Sequence, residues 1–92
     1  MMNILEKCPK KSKNVAYRII DNEAVIVIPE KGIVRVLNKV GSEIWELSDG
    51  KRKISEIVSF ISDKFNISIE EANKDIVEFI QELVEKEMII LE

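Results

Sequence analysis

A change of hydrophobic period at Asn38 constrains the fold more than any other feature of the sequence. Upstream of Asn38, three short runs rich in β-branched residues alternate with turns; they cover residues 15–20, 24–28 and 33–37. The two intervening segments, 21–22 and 29–32, have the Asp, Asn, Pro and Gly composition of tight turns. Downstream of Asn38, apolar residues recur at helical spacing. The pattern therefore predicts an antiparallel β-meander followed by helices.

Three helices are predicted after Asn38. The Asn38 side chain is a good N-cap because it can accept from free amides of the first turn. Gly50 is expected to end this helix in a left-handed conformation. A second helix is predicted from about residue 54 to 65, and a third begins at Ser68, where Ser68 and Glu71 have capping-box spacing. The predicted fold class is α+β and winged-helix-like: a three-stranded antiparallel β-meander followed by three α-helices.

The chain of 92 residues is predicted to form one domain over residues 15–92, preceded by a flexible, Lys-rich N-terminal arm over residues 1–14. No signal peptide or transmembrane segment is expected, and Cys8 has no intramolecular disulfide partner. We therefore expect a cytoplasmic protein that does not bind a membrane.

The composition argues against an enzyme. The sequence has no histidine, one cysteine and three separate glycines, so the common general base, a multi-thiolate zinc site and a phosphate-binding glycine loop are missing. We expect neither a cofactor nor a metal. The net charge of −3 disfavours nucleic acid unless a local basic patch is present.

The third predicted strand is a candidate binding edge. Residues 33–37 contain no proline and a single charge, so nothing blunts their backbone hydrogen-bonding groups if the strand lies at a sheet edge. Such an edge can accept an extended peptide as an additional strand. The alternative is that the strand is central or covered by the helices.

The third predicted helix carries two apolar lines. The first is expected to face the core and consists of Ala72, Ile76, Phe79 and Leu83. The second is a ridge of Val77, Ile80 and Val84, which is either a wider core face or one wall of a groove. The groove interpretation predicts that Ile80→Glu abolishes binding without unfolding the chain. Trp45 is expected to close the core.

The stretch over residues 37–50 resembles the signature of PqqD-like proteins. The matching residues are Leu37, Asn38, Gly41, Ile44, Trp45, Leu47, Asp49 and Gly50, followed by Glu56 and Ile57. The order of three strands and three helices is similar too, so the resemblance spans nearly the whole chain. One departure is Lys53, where family members often carry a threonine that would cap the second helix.

The resemblance implies a function in the maturation of ribosomally made peptides, of which coenzyme PQQ biosynthesis is one case. PqqD-like proteins are peptide chaperones or recognition elements that bind the leader region of a precursor peptide. They present it to a modifying enzyme, often a radical-SAM protein. The leader adds beside the third strand and packs against the third helix. By position, the peptide-binding residues here would be Ile33, Val34, Arg35, Val36, Leu37, Val77, Ile80, Gln81 and Val84.

Two other functions share the predicted architecture. A winged-helix DNA-binding domain needs a basic recognition helix, but the third helix is rich in Glu and Asp. A structural subunit of an enzyme complex would bury the same ridge in a permanent interface. A monomer and a strand-paired or swapped dimer both remain open, because an edge strand permits either.

Overall fold

The computed structural model describes residues 3–92. The strands are β1 (Pro9–Lys11), β2 (Ala16–Ile20), β3 (Glu23–Ile28), β4 (Ile33–Val36) and β5 (Ile89–Leu91). The helices are α1 (Lys39–Leu47), α2 (Ile54–Phe65) and α3 (Ile69–Glu85), and a short 3₁₀ helix spans Ile4–Glu6. The antiparallel sheet has the order β2-β3-β4, so the predicted meander and the α+β class are confirmed.

The central strand β3 separates a buried face of the sheet from an exposed one. Its residues Ala24, Ile26 and Ile28 are buried against the helices, whereas Val25 and Val27 are half-buried on the opposite face. This alternation follows from the two-residue period of a strand. The helices therefore cover one face of the sheet only.

Trp45 closes the core, as predicted. Its side chain is fully buried, and its ring meets that of Tyr17 edge-on, with the centroids 5.4 Å apart. The Lys11 ammonium lies 5.5 Å from the Trp45 ring centroid and donates to the backbone carbonyl of Ser48 at 3.2 Å. Burial of Lys11 lowers the pKa of its ammonium group. The sheet, α1 and the N-terminal segment thus meet around one indole ring.

A second, two-stranded sheet joins the two ends of the chain. Strand β1 pairs with β5 in antiparallel register, with Pro9 opposite Leu91. The backbone groups of Cys8 and Glu92 exchange two hydrogen bonds, at 2.9 and 3.0 Å. The Ile54 N–H also donates to the Lys7 carbonyl at 2.9 Å.

The expectation of a flexible arm over residues 1–14 does not anticipate these contacts. Residues 8–12 pair with residues 88–92, because the C-terminal tail supplies a pairing strand from the far end of the sequence, and Lys7 contacts the start of α2. Met1 and Met2 lie outside the described residues. The flexibility of this segment stays a prediction.

The helix ends show one error in the sequence-based boundaries. Helix α1 ends at Leu47, where the Ser48 hydroxyl donates to the Ile44 carbonyl at 2.8 Å. Gly50 does have a positive φ of 79°, but it lies in the following loop, where its N–H donates to Pro9 at 2.8 Å. Gly50 therefore connects this loop to β1 by a backbone hydrogen bond and does not cap the helix.

The predicted starts of the helices are confirmed. The Asn38 carbonyl oxygen Oδ1 accepts from the Gly41 N–H at 2.8 Å, and the Ser68 hydroxyl accepts from the Glu71 N–H at 3.2 Å. At the start of α2, the Lys53 N–H donates to Glu56 Oε1 at 2.9 Å. Glu56 thus supplies a capping contact where the threonine is absent. None of the helices in residues 3–92 is long and apolar enough to cross a membrane.

Candidate functional site

Strand β4 forms one edge of the three-stranded sheet, and the hydrogen bonds of its neighbour fix which backbone groups face outward. The Leu37 N–H donates to the Ala24 carbonyl at 2.9 Å, just beyond the last residue of β4. In an antiparallel ladder, successive residues alternate in the side toward which their N–H and C=O point. Leu37, Arg35 and Ile33 therefore direct these groups toward β3. Val34 and Val36 direct theirs toward the open edge.

The open edge thus offers two N–H donors and two C=O acceptors with the spacing of a strand. The side chains of Val34 and Val36 lie on the exposed face of the sheet, where they are 61% and 58% accessible. No proline interrupts the strand and no described strand pairs with this edge. An exposed edge of this kind is a template for a further strand.

A groove of about 490 Å³ lies next to the C-terminal end of β4. The end of β4, helix α1, the C-terminal region of α2 and helix α3 contribute to it. Its apolar lining consists of Val36, Leu37, Val40, Gly41, Ile44, Ile61, Ile67, Ala72, Ile76 and Phe79. Its polar lining residues are Arg35, Asn38 and Asp75. The groove is therefore a mainly apolar depression that opens beside a strand edge.

Gly41 allows the Phe79 ring to approach α1. A Cβ at position 41 would lie 3.2 Å from Phe79 Cζ and 3.3 Å from Asn38 Oδ1, which is closer than ordinary van der Waals contact. Position 41 is buried in α1. A side chain at this position would therefore push the Phe79 ring or the Asn38 cap and change the shape of the groove.

Ser42 fixes the position of α1 relative to the sheet. Its buried hydroxyl accepts from the Ala24 N–H at 2.6 Å and donates to the Leu37 carbonyl at 3.2 Å. These two bonds link α1 to β3 and to the end of β4. The hydroxyl also satisfies backbone groups that would otherwise be buried without a partner. Ser42 therefore helps to set the width of the groove between β4 and α1.

An ion pair crosses from β4 to α3. The Arg35 guanidinium lies on the inner face of the sheet, opposite Ile26, and donates to Glu82. The hydrogen bond from Arg35 lowers the pKa of the Glu82 carboxyl. Arg35 therefore occupies the helix side of the strand, and its charge is already compensated.

The nine residues that were predicted to bind the peptide do not lie on one surface. On the strand, Ile33, Val34 and Val36 are exposed, Arg35 is half-buried, and Leu37 is buried at the groove floor. This part of the predicted set lies together along the edge. On the helix, the arrangement differs from the prediction.

The ridge of Val77, Ile80 and Val84 does not face β4. Ile80 is fully buried in the core, so Ile80→Glu would place a charge in the core instead of leaving the fold intact. Val84 and Gln81 line a separate, shallower depression with Ile4 and Leu91, on the other side of α3 from the groove. The ridge therefore belongs to the core and to the contact with the chain ends, and a role in peptide binding stays a prediction that the geometry does not favour.

Sequence reasoning missed the residues of α3 that do line the groove. These are Ala72, Asp75, Ile76 and Phe79. Three of them had been assigned to the core stripe alone, and Asp75 had not been assigned. Phe79 differs from the other large members of that stripe because it is only partly buried. The signal that was available is its size: a phenylalanine within a narrow stripe of smaller residues extends beyond the core that those residues fill.

The fold and the site define a small α+β domain in which an unpaired strand edge lies beside an apolar groove. The family model described as Coenzyme PQQ synthesis protein D (PqqD) matches residues 23–89, and the chain belongs to this family. A comparison with curated proteins gave no match.

Two solved structures resemble the whole domain. The structure of TbiB1 in complex with the TbiA(beta) leader peptide is similar with a TM-score of 0.81 and 30% sequence identity, over 87% of this chain and 93% of the other. The structure of lasso peptide synthetase B1 complexed with the leader peptide also has a TM-score of 0.81, with 16% identity, over 90% of this chain and 98% of the other. The second similarity supports the fold alone.

Proposed function

We propose that this chain binds the leader region of a ribosomally made precursor peptide by adding it as a strand to the edge of β4. The observation that carries the proposal is the juxtaposition of two features. The outward N–H and C=O groups of Val34 and Val36 lie beside a groove that Phe79 and Ile76 line. An extended peptide can use both at once, because alternate side chains of a strand point to opposite faces.

Membership in the PqqD family and the similarity to TbiB1 support a leader peptide as the ligand. The energetics are consistent with a transient complex. Four backbone hydrogen bonds of about 1 kcal/mol each, with one or two buried apolar side chains of about 2 kcal/mol each, give a gross gain of about 6–8 kcal/mol. Part of this gain offsets the ordering of the peptide, and a Kd of 1 μM already requires about 8 kcal/mol, so we expect a Kd of about tens to hundreds of micromolar.

In this proposal the chain is a non-catalytic carrier that presents the peptide to a modifying enzyme, such as a radical-SAM protein, in the cytoplasm. Binding to DNA is disfavoured by the charge of α3. This helix has six carboxylates, at residues 70, 71, 75, 78, 82 and 85, and Lys74 is its one cation. A helix with this charge repels a phosphate backbone.

A peptide selection followed by an NMR titration tests the proposal. Random 12-residue peptides displayed on their encoding mRNA are selected on the full chain, and the best binder is titrated into ¹⁵N-labelled protein. We expect one-to-one binding, with the largest amide shifts at Val34, Val36 and the groove residues of α3, Asp75 to Phe79. The shifts at Gln81 and Val84 should be small.

Two results would contradict the proposal. One is a binder whose amide shifts avoid both β4 and the groove side of α3. The other is a selection that yields no binder above the level of an empty resin. Either result would leave the family assignment in place but remove the proposed mechanism.

A further inference from the structure

Next to the groove, α3 carries a stripe of four carboxylates, of which one, Glu82, pairs with a residue of the strand edge. Because each residue of an α-helix turns about 100°, Glu71, Asp75, Glu78 and Glu82 fall within an arc of about 60°. Asp75 itself lines the groove, and Glu82 holds Arg35 from β4. The stripe therefore follows the axis of α3, and Asp75 is the member that reaches the groove. We call these four residues the acidic rim.

Three members of the acidic rim have no ion-pair partner among residues 3–92. Glu82 pairs with Arg35, but Glu71, Asp75 and Glu78 form no salt bridge in the described structure. The single cation within α3, Lys74, lies about 100° away from Asp75 around the helix axis, on the side turned away from the groove. The site consequently presents an apolar floor, an open strand edge and a negative wall in which only Glu82 is paired.

We infer, on the basis of the proposed function, that the peptide bound at β4 carries lysine or arginine at alternate positions that face α3, next to an apolar anchor in the groove. The Arg35–Glu82 pair shows that a long basic side chain on a strand of this sheet reaches the rim. A peptide strand beside β4 places its inward side chains nearer to Asp75 and Glu71. Acidic residues at those positions would face like charges, and the cation that lines the groove, Arg35, is already paired with Glu82.

The charge of the acidic rim is expected to affect which peptides bind more than how tightly they bind. One exposed charge pair adds at most about 1 kcal/mol of attraction, but the difference between an attractive and a repulsive charge at the same position is about twice as large. The inference therefore concerns which peptides are accepted: a cationic leader segment is bound and an acidic one of equal apolar character is excluded.

The mRNA-display selection also tests this inference through the composition of the selected pool. Aligned on the apolar anchor, the pool should be enriched in Lys and Arg at alternate positions and depleted in Asp and Glu. The comparison of Glu71→Lys with Glu70→Lys provides a matched pair. Both positions are exposed in the first turn of α3 and both changes alter the net charge equally, but Glu70 lies about 100° further from the groove.

We expect Glu71→Lys to weaken binding of the best basic peptide by about fivefold or more at low salt, and Glu70→Lys to change it by less than about twofold. Raising the salt from 50 to 500 mM should reduce the difference, because screening shortens the reach of exposed charges. Asp75→Asn is a second variant that removes one rim charge with almost no change in size. It should weaken the basic peptide and spare a version in which serine replaces the lysines.

The outcomes separate this inference from the function on which it rests. A pool without charge preference, a pool enriched in Asp and Glu, or equal effects of the two lysine variants overturns the acidic-rim inference alone, provided that Val36→Pro still weakens binding by about 30-fold. A pool that never exceeds the background overturns both. Binding that Val36→Pro does not affect overturns the strand-addition mechanism, whatever the charge of the peptide.

Discussion

Val36→Pro is the most direct perturbation of the proposed binding edge. The Val36 N–H points away from β3, so its loss removes no hydrogen bond from the sheet. Proline is tolerated in edge strands where the N–H faces outward. The same substitution at Arg35 would break the ladder with β3, because the Arg35 N–H points inward. Val36→Pro therefore separates peptide binding from sheet formation.

The expected magnitude follows from the hydrogen bonds that are lost. The change removes one donor, and the pyrrolidine ring occupies the place of the approaching peptide carbonyl, so the neighbouring bond at the Val36 carbonyl lengthens too. Two bonds of about 1 kcal/mol each correspond to a weakening of about 30-fold in Kd. Val36→Thr, which keeps both the N–H and the β-branched shape, should weaken binding by less than about threefold.

Ile19→Pro supplies a matched control on the opposite edge of the sheet. Ile19 lies in β2, opposite Ala24, and by the same alternation its N–H also points outward. Fluorescence anisotropy of the labelled peptide measures Kd for each variant, and thermal unfolding confirms that each is folded. If folded Val36→Pro binds within about threefold of the unmodified chain, or if Ile19→Pro weakens binding equally, strand addition at β4 is refuted.

Three further predictions follow from the groove and its supports. Phe79→Ala should weaken binding of the selected peptide by more than about tenfold, whereas Val77→Ala, on the far side of α3, should change its Kd by less than about twofold. Equal losses of affinity in the titration would instead favour the ridge of Val77, Ile80 and Val84 as the binding surface. Ser42→Ala should destabilise the fold by about 1–3 kcal/mol, because the buried Ala24 N–H loses its acceptor. Calorimetry should show a Tm lower by several degrees, and an unchanged Tm would contradict the role of this hydroxyl. The Glu82 pKa is lowered in the folded state, so the pairing of Glu82 with Arg35 stabilises the fold above the unfolded pKa, and this stabilisation is lost as pH falls through the folded pKa. The difference in unfolding free energy between the unmodified chain and Arg35→Gln should therefore shrink below about pH 4.5. A difference that stays constant from pH 7 to about pH 3 would argue against the pair.

The meander and the helices could be predicted because each has a local cause. The strands β2, β3 and β4 alternate with a period of two and are separated by residues that favour turns. The helices begin at Asn38 and Ser68, whose side chains accept backbone N–H groups as expected. These interactions join residues within a few positions of each other, so the sequence alone contains both partners.

The helix side of the groove could not be predicted from the same kind of pattern. The sets Ile76–Phe79–Leu83 and Ile76–Ile80–Leu83 both have helical spacing, so the period does not decide whether Phe79 or Ile80 is buried. The choice depends on the side from which the sheet packs on α3 and on the space above Gly41. The β1–β5 pair was missed for a related reason, because two three-residue strands from opposite ends of the chain carry too little local signal.

The residues of the family signature and the residues of α3 have different roles at the proposed site. Signature residues build the site: Asn38 caps α1, Gly41 admits the Phe79 ring, Trp45 closes the core, and Leu37 forms part of the groove floor. They pack against the rest of the chain, including where they line the groove, so they hold the strand edge and the groove at a fixed separation whatever peptide is bound. The surfaces that a peptide would touch and that differ in chemistry are the outward valines of β4 and the acidic rim. The signature thus accounts for the presence of the proposed binding edge. In this proposal the choice of peptide comes from α3 and β4, so a charge reversal on α3 is expected to alter the selected sequences without altering the fold.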